Sequence, residues 1–273
     1  MRAAMLQMNV AHDKQKNLER ARQMLEQANR EGAELAVLPE MFCCPYSNRF
    51  FRSYGEEEGG PAWQALSGMA REFSFYLVAG SMPELKDGQV YNTAYVFDRT
   101  GQQIAKHRKA HLFDIDVEGG QRFQESETLS PGDQITVFDT EFGRLGLCIC
   151  FDFRFQEMAK AMADRGAQLI VVPAAFNMTT GPAHWDMSLR MRALDNQVYA
   201  MGCSPARNTE SSYVAYGYSL VASPWGDIRG KLDETPGILI ETVDTEWIDA
   251  VREQLPLISA MRTDRYTLPD WKD

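Results

Sequence analysis

The stretch Gly143-Arg144-Leu145-Gly146-Leu147-Cys148-Ile149-Cys150-Phe151-Asp152-Phe153-Arg154-Phe155-Gln156-Glu157 decides how the chain is read. Its apolar run from Leu145 to Cys150 predicts a buried strand. The pattern then changes period: Phe155, Met158, Ala159, Met162 and Ala163 recur at helical spacing until Gly166 stops them. A cysteine therefore stands where a buried strand gives way to a helix, the place where α/β folds gather ligands and reacting groups. The residue after it can offer a backbone N–H to a developing oxyanion, because the first amides of a helix have no partner within it. Taken alone, Cys150 could equally be a small core hydrophobe, the commoner fate of an unpaired cysteine.

Two further stretches change that balance. Leu35-Ala36-Val37-Leu38-Pro39-Glu40 is a second strand-like run, ending in a carboxylate, and Lys106-His107-Arg108-Lys109-Ala110-His111-Leu112-Phe113-Asp114 sets a lysine beside an apolar segment. Singly, Glu40 reads as a helix-starting carboxylate and Lys109 as a solvated charge. In chain order, however, strand–Pro–Glu, then Arg-Lys-x-His-Leu-Phe, then Cys–aromatic–Asp-x-Arg-Phe resemble the nitrilase, or carbon–nitrogen hydrolase, superfamily. The resemblance runs over nearly the whole chain. It implies an α/β fold, a four-layer αββα sandwich of the nitrilase type, with Glu40, Lys109 and Cys150 as the catalytic set. It also implies a second glutamate in the loop before the cysteine hairpin, for which Glu125 in Gln124-Glu125-Ser126 is preferred to Glu127. Cys148 competes for the nucleophile's role; the family places its nucleophile immediately before the aromatic–Asp pair, which selects Cys150. Many members read Cys-Tyr-Asp-x-Arg-Phe-Pro-Glu, whereas this chain has Phe151 and Gln156, a departure that removes no catalytic group.

Opening an amide needs a nucleophile, a proton shuttle and a holder for the oxyanion. A cysteine with its usual pKa of about 8.5 is only a few per cent thiolate at neutral pH and needs a base. Glu40 fits that task, and Lys109 with the Phe151 N–H fits the oxyanion.

The rest of the composition narrows the class. The apolar and charged fractions, 44% and 24%, are those of an ordinary globular protein. A net charge of −10 argues against nucleic acid or an anionic membrane as partner. No apolar run approaches a membrane span, the N-terminus lacks the long apolar core of a signal peptide, and five cysteines do not form a disulfide framework. A cytoplasmic enzyme is expected. The four histidines, His12, His107, His111 and His184, have no metal-ligand spacing, so neither metal nor cofactor is expected.

Along the chain, residues 1–10 predict a strand. Asp13 caps a helix with Leu18, Ala21, Met24, Leu25 and Ala28 on one face, and Gly32 closes it before a strand at 33–38. Residues 42–60, with the pair Cys43-Cys44, read as a loop, and 62–73 as a helix. Strands are expected at 75–81, 92–98 and 103–106, and a long polar loop at 119–132. The hairpin 135–139 with 145–150 precedes the Cys150 helix. Strands at 168–173, 198–203, 216–223, 228–231 and 238–243 follow, with helices at 183–196 and at 245–254, the latter capped by Thr245. A single domain, 1–273, is expected, with an extended tail containing Pro256 and Pro269.

Within the superfamily the chain is most similar to the omega-amidase branch, on Phe123-Gln124-Glu125-Ser126, Leu129-Ser130-Pro131-Gly132-Asp133, Ala175-Phe176-Asn177-Met178-Thr179-Thr180-Gly181-Pro182-Ala183-His184-Trp185, Asp195-Asn196-Gln197-Val198-Tyr199 and Ser204-Pro205-Ala206-Arg207. That resemblance implies release of ammonia from the terminal amide of 2-oxoglutaramate or 2-oxosuccinamate. Such substrates carry a remote carboxylate, and Arg154, one turn beyond Cys150, can grip it in two-pronged fashion; its alternative is a structural pairing with Asp152 or with a helix terminus. Tyr46, Phe151, Phe176 and Thr180 complete the pocket implied by resemblance. Other readings are another amidase or carbamoylase of the superfamily, such as a deaminated-glutathione amidase or N-carbamoyl amino acid hydrolase, and a non-catalytic interaction protein on the same fold. A homodimer is expected through the helices bearing Met158, Met162, Met187 and Met191.

Overall fold

The computed structural model describes residues 1–266. It opens β-α-β as the periodicity predicts: β1 (Arg2–Gln7), α1 (Lys14–Arg30) and β2 (Leu35–Val37). The Asp13 carboxylate accepts from the Lys16 N–H at 3.1 Å, and Gly32 leaves the helix in the left-handed region at φ 78°. Next come α2 (Asn48–Tyr54), α3 (Pro61–Phe73), β3 (Tyr76–Val78), the hairpin β4 (Met82–Lys86) with β5 (Gln89–Phe97), and β6 (Gln103–Arg108). The strands β7 (Asp114–Asp116) and β8 (Arg122–Gln124) pair with each other in a small sheet of their own. β9 (Thr136–Thr140) and β10 (Gly143–Leu147) form the expected hairpin. The chain continues through α4 (Gln156–Asp164), β11 (Leu169–Pro173), α5 (Gly181–Asn196), β12 (Tyr199–Cys203), β13 (Leu220–Ala222), β14 (Ile228–Lys231), β15 (Gly237–Thr242) and α6 (Thr245–Gln254).

These strands make two large sheets. One has the order β15-β1-β2-β3-β5-β4, with β6 also paired to β5; the other runs β14-β13-β12-β11-β10-β9. Side-chain alternation sorts the first sheet's residues between two cores. Ala3, Met5, Leu35, Val37, Val78, Ala94 and Val96 face the second sheet and pack with its Leu145, Leu147, Leu169 and Val171. Their neighbours Ala4, Leu6, Ala36, Leu77, Tyr95 and Phe97 face outward, under Leu18, Leu25, Leu66 and Ala70 of α1 and α3. On the far side α4 and α5 cover the second sheet: Met162 lies against Gly146, and Trp185 and Leu189 lie over Gly202, where a Cβ would stand 2.6 Å from the Trp185 ring. The layers are therefore helix, sheet, sheet, helix, the αββα sandwich the resemblance implied.

Several local expectations are corrected. Residues 42–60 contain α2, seven residues long, with Ser47 at its N-cap and Phe51 buried. The strand expected over 145–150 ends at Leu147, and Cys150–Arg154 is a turn of 3-10 helix. The N-cap of α6 is Asp244, whose carboxylate accepts from the Glu246 N–H at 3.1 Å; Thr245 is its first helical residue. The tail is turned rather than extended as far as it is described: the Ala260 N–H donates to the Pro256 carbonyl, and the Tyr266 N–H to that of Arg262. Pro269 lies outside the described residues. The methionine-bearing helices divide, since Met158 and Met162 are buried in the core while Met187 and Met191 are 65% and 41% exposed.

Candidate active site

Glu40 follows the carboxyl end of β2, Cys150 that of β10, and Ala175 and Phe176 that of β11, so the strand ends of both sheets converge. Lys109 leaves β6 directly, and Glu125 opens a 3-10 turn after β8. All of these are buried. The Lys109 ammonium donates to Glu40 Oε1 at 2.9 Å and to Glu125 Oε1 at 3.0 Å, so one cation bridges two carboxylates. The Tyr46 hydroxyl lies among them, 2.6 Å from Glu125 Oε1 and 3.2 Å from Glu40 Oε1. Asn92 of β5 donates a further bond to Glu40 Oε1 at 2.8 Å, and Glu125 Oε2 is held by the Phe113 N–H at 2.7 Å.

Electrostatics follow from that burial. Loss of water pushes the Glu40 carboxyl above its ordinary range; Lys109 draws it down, and the nearby Glu125 pushes it up again. Burial would strip the proton from Lys109, but Glu125 and Glu40 hold its ammonium charged well above the usual value. For Cys150, burial and then the Glu40 charge push the thiol far up, against the Lys109 charge and a hydrogen bond from the Ala175 backbone. The sulfur therefore rests as a neutral thiol beside a carboxylate, and a proton can pass between them. Cys150 takes φ 48°, in the left-handed region, a strain of about 1–3 kcal/mol for a side chain with a Cβ. The 3-10 turn it starts leaves the Phe151 N–H without an acceptor in that turn. Cys148, by contrast, is buried in the core between the sheets and feels the charge of Asp152 rather than that of Glu40 or Lys109.

Asp152 joins the lysine segment to the cysteine segment. Its Oδ1 accepts from the N–H groups of Ala110 and His111, at 3.1 and 2.8 Å, and lies 2.8 Å from His111 Nδ1. Its Oδ2 accepts from the Ile149 N–H at 3.0 Å and lies 2.9 Å from His107 Nε2. Although burial opposes its charge, those histidines and backbone donors hold its carboxyl far below the usual range.

Arg154 does not pair with Asp152. Its guanidinium lies 4.3 Å from the centre of the Phe176 ring and 5.7 Å from that of Phe151, with Nη1 2.9 Å from His184 Nδ1. Its Nε is buried without a partner, and among the described residues no carboxylate pairs with it. Thr180 caps α5 one turn before His184, and its N–H and hydroxyl both donate to Asn177 Oδ1. Among the described residues no cluster of His, Cys, Asp and Glu is arranged to hold a metal.

The predicted catalytic residues thus meet at one point, with Tyr46 among them, and Arg154, Phe151 and Phe176 form a neighbouring group. Sequence reasoning missed Asn92, Asp152 as a bracket, His184 as the partner of Arg154, and Tyr213. The Tyr213 ring stacks on Tyr46 at 4.3 Å, and its hydroxyl donates to the Ala175 carbonyl at 2.5 Å.

The chain is 47% identical over 265 residues to omega-amidase NIT2 of Bos taurus, covering 97% of this chain and 96% of that protein. It is 46% identical over 267 residues to omega-amidase NIT2 of Homo sapiens, covering 98% and 97%. The structure superposes on Saccharomyces cerevisiae Nit3, a member of branch 10 of the nitrilase superfamily, with a TM-score of 0.89, 42% identity and 96% of both chains covered. An amidase from Nesterenkonia sp. carrying an acrylamide adduct at its active-site cysteine matches with a TM-score of 0.77 and 28% identity, covering 94% of this chain and 98% of that one. Since the carbon-nitrogen hydrolase family model also matches residues 2–253, the chain belongs to the carbon–nitrogen hydrolases.

Proposed function

We propose that the chain is an omega-amidase, which releases ammonia from the terminal amide of 2-oxoglutaramate or 2-oxosuccinamate through a thioester on Cys150. Glu40 takes the thiol proton as the sulfur attacks the amide carbon. The Lys109 ammonium and the Phe151 N–H stabilise the oxyanion, each donor being worth about 3 kcal/mol of barrier. Glu125 fixes the ammonium's direction. When the C–N bond breaks, Glu40 returns its proton to the departing nitrogen; it then deprotonates a water that opens the thioester, and the thiol is restored.

The observation that carries the choice of substrate is Arg154, a half-buried guanidinium one turn from Cys150 with no carboxylate of its own among the described residues. A substrate carboxylate supplies the missing partner. The omega-amidases at 46–47% identity support the same substrate class. The test is ammonia release from 2-oxoglutaramate against a neutral amide of equal length. The charged amide is expected to react far faster in the wild type. Arg154→Ala should cost it about 30- to 5,000-fold, the range for losing a buried charge-assisted pair of about 2–5 kcal/mol. Arg154→Lys should recover only part, because an ammonium lacks the planar fork. Equal losses on both substrates would make the arginine structural.

A homodimer is part of the same proposal. Met187 and Met191 of α5 are exposed beside Trp225, and an apolar face of this kind on a folded chain favours a partner. Sedimentation at micromolar concentration should give twice the chain mass; a monomer mass would refute it.

A further inference from the structure

Asn92 touches Glu40, yet none of the reaction steps uses it. The pleat of β5 sets it on the same face as Ala94 and Val96, which fill the space between the sheets. It is fully buried there, and its Oδ1 has no hydrogen-bond partner among the described residues. An orphaned carbonyl of this kind costs stability that an apolar side chain of similar size would not. What the asparagine side chain gains is a single contact: its Nδ2 donates to Glu40 Oε1 at 2.8 Å. A carboxylate only accepts, so the amide atom that faces it is the nitrogen.

The other two donors on Glu40 Oε1 also serve elsewhere. The Lys109 ammonium is shared with Glu125 and must turn toward the oxyanion. The Tyr46 hydroxyl has one hydrogen, and Glu125 Oε1 at 2.6 Å is a nearer acceptor than Glu40 Oε1 at 3.2 Å. The Asn92 amide is neutral at every pH and is fixed by strand pairing, since the Asn92 carbonyl accepts from the Lys109 backbone N–H at 2.9 Å. One residue thus holds the carboxylate by its side chain and the lysine segment by its main chain. Glu40 Oε2 is buried with no hydrogen-bond partner among the described residues, so its lone pairs are free and it is the more basic of the two oxygens. We infer that Asn92 is a positioning residue for the base: by holding Oε1 it turns Oε2 to the Cys150 thiol as the atom that takes the proton. This rests on Glu40 being the base of the proposed reaction. The titratable groups facing the carboxylate are Lys109 after β6, Glu125 after β8, Cys150 after β10, and Tyr46 and Tyr213; substitution at Asn92 leaves all of them in place.

The test follows alkylation of Cys150 by iodoacetamide as a function of pH, read by intact mass with Cys150→Ser as the blank. Alkylation needs the thiol proton to leave but no acyl transfer, so it reports the base whatever the substrate is. In Asn92→Leu the rate above the acid limb should fall about tenfold or more, the loss for one hydrogen bond to a charged group. The limb itself should move up by about half a pH unit or more, because the ionised carboxylate has lost a donor. Ammonia release should show the same shift, with kcat lowered and KM little changed. A folded Asn92→Leu variant with the wild-type rate and limb overturns the proposal. So does a loss of rate with an unmoved limb, which is what a merely structural residue would give. Should Asn92→Leu fail to fold, Asn92→Ala, which adds no bulk between the sheets, is read in the same way. Glu40→Gln separates the two assignments. If it is alkylated as fast as the wild type, the base assignment falls and takes this proposal with it. If it is slow while Asn92→Leu is not, only the role of Asn92 falls.

Discussion

Asp152→Asn tests how the two catalytic segments are held together. The carboxylate, itself fully buried, accepts from three backbone amides and faces two imidazoles, the buried His107 and the partly exposed His111. In the asparagine variant a carbonyl can keep the three contacts on Oδ1, but an NH₂ group replaces Oδ2. His107 can present an unprotonated nitrogen to it, whereas the Ile149 N–H becomes a buried donor facing a donor. One orphaned amide costs about 1–3 kcal/mol, and losing charge assistance on three remaining bonds costs roughly 0.5–1 each. The sum, about 2.5–6 kcal/mol, is a large fraction of the 5–15 kcal/mol typical of folded domains. Urea unfolding should read it as a lower midpoint. The acid side adds a second signature. Because the native carboxyl is depressed below its unfolded value of about 3.9, its stabilisation is complete above that value. It is lost as pH falls toward the native one. The variant should therefore lose stability less steeply below about pH 4 than the wild type does. Catalysis should also suffer, because Lys109 and Cys150 are no longer held to one another, and a displacement of about 1 Å costs on the order of 100-fold in rate. A variant within about 1 kcal/mol of wild type that keeps most of its kcat would refute the bracket.

Other predictions concern the nucleophile and its base. Cys150→Ala should abolish ammonia release, while Cys148→Ala should keep most of it at a cost of about 1 kcal/mol in stability for a small core deletion; an acyl adduct found on Cys148 by intact mass would reverse the assignment. Because Glu40 acts ionised and burial raises its pKa, kcat/KM should fall on the acid side with an apparent pKa above the free carboxylate value of about 4.3. Glu125→Gln removes a neighbouring negative charge, so that limb should move to lower pH in the residual activity; a shift upward would contradict the geometry.

The chemistry was legible because its residues sit at strand ends in short motifs with fixed order. Pro39-Glu40, Arg108-Lys109 and Cys150-Phe151-Asp152 each announce a break in an apolar run. Asn92 gave no such signal: it lies inside β5, and only the pleat and the register with β6 turn its amide toward Glu40. Tyr213 comes from a loop far along the chain. The bracket at Asp152 depends on backbone donors some 40 residues away, which no local pattern encodes. Among the elements, β4 was missed because Pro83 interrupts its pattern; it lies at the sheet's edge, where a missing N–H is tolerated. The strand expected from 216 is cut to Leu220–Ala222 because Gly217 and Tyr218 take positive φ. α2 is too short for its periodicity to stand out from an aromatic-rich connection.

The division of the first sheet between two cores limits how its sequence can drift. Leu35 and Val37 of β2 face the opposite sheet, while Ala36 and Leu38, the residue just after the strand, lie under the helices. Deleting one residue between Leu35 and Pro39 would exchange the two sets, sending Ala36 and Leu38 into the space between the sheets. It would also turn the peptide that launches Glu40, so the carboxylate would leave on the side away from Lys109. Substitutions along this strand can accumulate singly, each at the cost of its own packing. A change of length cannot, because a single codon lost there removes the fold's register and the catalytic base together.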